Sequence, residues 1–134
     1  MSETQLSRWY DQLWNNANED AIDELMDESA IIHGLETDGA KKGPQAFKPF
    51  YHNFRQGFPS VTIKLEPIFS TGEFEAAHCV VSAETRDGKK VNFTGLSIAK
   101  FNNGKLVEGW NAFDFHTMQK QLEDTMASHS NQPK

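Results

Sequence analysis

The chain has 134 residues, with 13 Lys and Arg against 19 Asp and Glu, a formal charge of −6 and one cysteine. That length suits a single hydrophobic core, and the lone Cys79 excludes a disulfide framework or a Cys-rich zinc module. The acidic balance argues against a broad basic face for nucleic acid, and no apolar run approaches the roughly 18 residues of a membrane span. Residues 1–5 carry neither a basic n-region nor an apolar h-region, so no signal peptide is visible and a cytoplasmic location is expected.

Leu6, Trp9, Tyr10, Leu13, Trp14 and Ala17 recur at the spacing of one apolar helix face. Asn15, Asn16 and Asn18 interrupt it, and Asn18 is placed to cap a second helix with Glu19 and Asp20 in its first turn. Ala21, Ile22, Leu25 and Met26 supply that helix with a buried side. A short apolar strand follows over residues 30–35, and Gly34 with residues 37–40 allows a reversal. Gly43-Pro44 opens a third helix, striped by Phe47, Phe50, Tyr51, Phe54 and Phe58, which Pro49 should kink by removing one amide donor.

From Val61 the period changes to two. Turn signals at Gly72, Gly88 and Gly104 are spaced 16 residues apart, two of them as Asp-Gly and Asn-Gly. They predict long antiparallel strands over about 73–86, 89–102 and 105–116, which should twist and curl strongly. Residues 116–126 read as helix or frayed chain, so the domain is expected over 1–126, with 127–134 a polar tail. Helices followed by a meander make an α+β fold: a curled antiparallel sheet closed by N-terminal helices into a cone with an apolar interior. Such a cavity suits a small molecule.

An early Trp, Asn18-Glu19-Asp20, Leu25-Met26, Ile32-His33-Gly34 and Gly43-Pro44-Gln45-Ala46-Phe47 stand in one order. Phe54-Arg55-Gln56-Gly57-Phe58-Pro59, the block from Phe101 to Trp110, Asp114 and Gln121-Leu122 continue it. In this order the chain resembles the SnoaL-like polyketide cyclase family of the nuclear transport factor 2-like superfamily, across nearly its whole length. The resemblance implies the cone fold and a carboxylate acid/base at the Asp of Trp-x-x-x-Asp, here Asp114. It also implies a pocket histidine at His33. One departure concerns residues 82–90, which are compact where the cyclases carry a longer segment, so the substrate does not follow from the fold.

Asp114 and His33 are therefore the catalytic candidates. A carboxylate can take a proton from carbon beside a carbonyl and return one to an alkoxide, and an imidazole can hydrogen-bond the developing charge. The alternative for Asp114 is a solvated strand-end residue capping the turn from His116; for His33 it is a half-buried ring bonded to backbone. Trp14, Phe54, Trp110 and His78 are the candidate substrate-binding residues, although the alternation of His78 with Ala76, Val80 and Ser82 also suits a subunit contact. There is no His-x-His, His-Glu-x-x-His or calcium-loop pattern, so neither metal nor cofactor is expected. Cys79 reads as a small core hydrophobe. The expected function is binding of a small apolar carbonyl compound, with cofactor-free cyclisation or isomerisation by Asp114; a non-catalytic binding or interaction module is the alternative. Apolar residues on the free sheet face, Phe93 or Leu96 and Ile98 depending on register, point to a homodimer through that face.

Overall fold

The computed structural model describes residues 4–35 and 41–130, with side chains as far as Glu123. The Thr4 hydroxyl accepts from the Ser7 amide at 3.1 Å and starts α1, Gln5–Tyr10. The helix then widens into a π-helical turn, Asp11–Asn15, in which the Asn16 amide donates to the Asp11 carbonyl. Leu6, Trp9, Tyr10, Leu13 and Trp14 are buried as their spacing predicts. Ala17 is not: it is exposed, with φ +53°, where the chain leaves the turn. The expected cap of α2, Asp20–Leu25, is also different, because the Asn18 amide group donates to Gln12 and Glu19 precedes the helix instead. The reversal expected at residues 37–40 lies outside the described residues.

The five strands are β1 Met26–His33, β2 Ser60–Thr71, β3 Phe74–Glu84, β4 Lys90–Asn102 and β5 Lys105–Phe113. They form one sheet in the order β1-β5-β4-β3-β2, with β1 parallel to β5 and the remaining pairs antiparallel. The meander and its turns thus follow the glycine spacing; Asn103 and Gly104 both take positive φ in the β4–β5 hairpin. Between β1 and β2 runs α3, Gly43–Gly57, one continuous helix that includes Pro49. After β5 comes α4, Phe115–Ser130, so helical backbone extends beyond residue 127 where the tail was expected to begin; residues 131–134 lie outside the described residues.

Strict alternation separates the two sides of the sheet. On the inner side, Val61, Ile63, Ala77, Cys79, Val81, Val91, Phe93, Ala99 and Phe101 pack against the helices. Two polar devices fix the roof formed by α1 and its π turn. At one end the buried Glu75 of β3 accepts from the Leu6 amide at 2.7 Å and the Gln5 amide at 3.3 Å. At the other, the Asn15 side chain pairs with β2 as a strand would, accepting from the Ile63 amide at 2.6 Å and donating to its carbonyl at 2.9 Å. From α3, Tyr51 and Arg55 donate to the carbonyls of Leu13 and Trp14. No described helix is long and apolar enough to cross a membrane.

The backbone at Ala17 makes a prediction. A left-handed conformation costs a Cβ-bearing residue about 1–2 kcal/mol, part of which glycine loses again through its freer unfolded chain. Ala17→Gly should stabilise the protein by about 0.5–1 kcal/mol, a rise in Tm of about 2–4 °C in a thermal melt.

Candidate functional site

The helical roof and the inner sheet face do not meet everywhere. They leave a hollow of about 660 Å³, counted out through its open mouth. An apolar hollow open on one side belongs to the class of sites that take small organic ligands. Its walls are aromatic. Trp9, Trp14, Phe50 and Phe54 face it from the helices, and Phe93, Phe113 and Phe115 from the sheet and the start of α4. Trp14 meets Phe54 edge-on at 5.5 Å, while Phe93, Phe113 and Phe115 form a triangle with centroids 5.8–6.4 Å apart.

Three neutral polar side chains interrupt this apolar lining: Tyr10, Ser97 and Asn111. The Ser97 hydroxyl donates to Asn111 Oδ1 at 3.2 Å, and Asn111 Nδ2 donates to the His33 carbonyl at 3.0 Å. The Tyr10 hydroxyl lies beside both Ser97 and Cys79, and its bond with Cys79 raises the phenol and lowers the thiol, as a bond donated by Tyr10 to the sulfur does. Burial pushes the Tyr10 phenol far above its ordinary value, and the neighbouring Cys79 raises it further. Burial likewise pushes the Cys79 thiol up to about 11. Every polar group in this row is therefore uncharged at neutral pH. What remains for a ligand is the second Nδ2 proton of Asn111, suited to a carbonyl oxygen, and the lone pairs of Tyr10, suited to a hydroxyl.

Gly34 holds Asn111 in place. It has φ +86°, and a Cβ there would fall on the Asn111 backbone carbonyl. This close approach lets the end of β1 receive the Asn111 amide.

The structure divides the candidate residues between the two sides of the sheet. Trp14 and Phe54 line the hollow. Trp110 and His78 lie on the outer face, where the His78 ring meets the Glu66 carbonyl at 3.2 Å. His33 is outside as well: its Nε2 is 2.8 Å from Glu108 Oε2, and its ring stacks on Trp110 at 5.6 Å. Asp114 is exposed and caps α4, accepting from the Thr117 amide at 3.0 Å and its hydroxyl at 2.6 Å. It is thus in the capping arrangement rather than the cavity, and it and His33 do not converge on the hollow. Among the described residues no cluster of three or more His, Cys, Asp or Glu could hold a metal ion.

The reason is a one-residue bulge. At the hairpin, Asn102 pairs with Lys105 and Phe101 with Leu106, but Lys100 pairs with Glu108, so β5 gains a residue at Val107. Such a slip exchanges the faces of everything beyond it. Without it, Trp110 would oppose Ser97 and Asp114 would oppose Phe93 on the inner side; with it, Asn111 opposes Ser97 and Phe113 opposes Gly95. Tyr10, Ser97 and Asn111 were therefore missed. A signal did exist, since Ser97 is the polar exception among Phe93, Gly95, Ala99 and Phe101.

The two hydrogen bonds from Thr117 hold the Asp114 carboxyl below its ordinary 3.8, hydroxyl first and amide second. A carboxyl depressed on folding stabilises the folded state above its unfolded pKa, and that contribution is lost as pH falls through the folded value. Asp114→Ala should lower Tm at pH 7, with the gap to wild type closing as melts are taken below pH 3.8.

Comparison with known proteins agrees with this architecture. A polyketide cyclase candidate from Bacillus cereus ATCC 10987 superposes with a TM-score of 0.77 at 26% identity, covering 89% of this chain and 78% of that one. IdmH from Streptomyces antibioticus, also a polyketide cyclase candidate, gives 0.75 at 22% identity, covering 89% and 96%. A third such candidate, from Acidithiobacillus ferrooxidans, gives 0.74 at 16% identity, covering 92% and 99%. No curated protein matches the chain by sequence. Residues 4–122 match the SnoaL-like polyketide cyclase family, and the chain belongs to that family.

Proposed function

We propose that this protein binds a small, largely apolar aromatic compound inside the cone, holding its carbonyl or hydroxyl group on the row Tyr10, Ser97 and Asn111. One observation carries the reading: an aromatic hollow whose polar groups are neutral hydrogen-bonding side chains in sequence. Such a lining favours an uncharged ligand, since a charged one would lose its hydration without a counter-ion. Membership of the SnoaL-like family supports a polyketide-like carbonyl compound as the ligand class. The described lining contains no carboxylate and no imidazole, which favours binding over proton transfer by Asp114.

Isothermal titration with 2-acetylnaphthalene tests this. Asn111→Ala and Ser97→Ala should each weaken binding by about tenfold, the effect of removing one buried hydrogen-bond partner. Asp114→Asn should bind within about twofold of wild type. Loss of binding or of turnover in Asp114→Asn, with the other two intact, would restore the cyclase reading.

A second observation concerns the outer face. The large hydrophobic side chains exposed among the described residues are Ile31, Phe69, Phe74, Val80, Leu96 and Ile98, and the strand registers put all six on this one side. Six large apolar side chains on one sheet face are more than the single scattered exposures of a lone monomer, and such a face marks a site of association. The pairs Lys64–Glu66 and Lys100–Glu73 around them carry both signs, which suits contact with a second copy. The reading is a homodimer through the outer face. Sedimentation at micromolar concentration should give twice 15.2 kDa for wild type and a folded monomer for Ile98→Glu; a monomeric wild type would end the proposal.

A further inference from the structure

Gly95 lies on the inner side of β4 between Phe93 and Ser97, and pairs with Cys79 on one flank and Phe113 on the other. Glycine weakens a strand interior, and Gly95 is not among the glycines with positive φ, so its backbone does not call for one. The Phe113 ring does. A Cβ on Gly95 would stand 2.6 Å from Phe113 Cγ and 2.8 Å from Cε1, well inside van der Waals contact. The ring thus occupies the space a side chain would take, leaning over β4 against the floor of the sheet.

A ring driven from that position has few places to go. Cys79, fully buried, fills the flank toward β3. Phe93 and Phe115 stand against the ring at 6.4 and 5.9 Å. The hollow, which Phe113 already lines, is the open direction.

We propose that Gly95 sets the bore of the cavity: by letting Phe113 lie on the sheet floor, it admits ligands of fused-ring width where a side chain would restrict the site to a single ring. This rests on the ligand-binding reading above and adds a size class to it. Phe113 is the gauge and Gly95 the seat into which it recedes.

Titration of two uncharged probes, acetophenone with one ring and 2-acetylnaphthalene with two, measures the bore. Gly95→Ala should weaken 2-acetylnaphthalene by about tenfold or more, the typical effect of overpacking, while acetophenone changes by about twofold or less. Adding Phe113→Ala to Gly95→Ala removes the displaced ring and should recover most of the two-ring affinity. Should Gly95→Ala fail to fold, Phe113→Ala alone carries the test by shifting preference toward the larger probe. Equal losses for both probes, no rescue in the double variant, or an unchanged probe ratio in Phe113→Ala would overturn the role of Gly95 and leave the pocket standing. A wild type that binds neither probe would overturn the pocket reading, and this inference with it.

Discussion

The cavity exists because a short helical segment is held at a fixed height above a curled sheet. Glu75 and Asn15 do the holding, at opposite ends of α1 and its π turn. Apolar contact alone could let so short a segment slide, since the hydrophobic effect has no direction. A buried carboxylate on two amides, and an amide side chain on both backbone groups of Ile63, do have direction; bonds of the first kind are worth about 1.5–3 kcal/mol each. Gln121 of α4 repeats the device on β4, accepting from the Asn92 amide and donating to its carbonyl. Roof and closing helix are thus each keyed to the sheet by an amide side chain that imitates a strand.

These clamps also explain the distribution of charge. The inner side carries Glu75, fully engaged, and otherwise neutral groups whose ionisation burial opposes. Ion pairs such as Lys64–Glu66 and Lys100–Glu73 lie on the side that water or a partner reaches. A sheet with two such unlike faces separates the chemistry of recognition inside from that of association outside.

Much of the architecture was legible because it depends on periods. The spacing of Leu6, Trp9, Tyr10, Leu13 and Trp14 identified the helix, and glycines at 72, 88 and 104 identified the meander. Two of the candidate pocket residues, Trp14 and Phe54, face the hollow because helical spacing reports which side of a helix is buried. The last strand was harder. Trp110, Ala112 and Asp114 stand on one side and Asn111, Phe113 and Phe115 on the other, each set holding one polar residue and at least one aromatic, so alternation alone does not say which faces the core. The choice falls to the bulge at Val107, a backbone event with no residue signature in this hairpin. The fold could be read through it and the site could not.

That bulge has a consequence for how such a site can change over generations. Substitution alters one side chain at a time, whereas the loss of a single residue near Val107 would turn the rest of β5 over at once. Asn111 and Phe113 would leave the interior, and Trp110 and Asp114 would enter it. A neutral receptor and an interior carrying a carboxylate would then be separated by one codon of length.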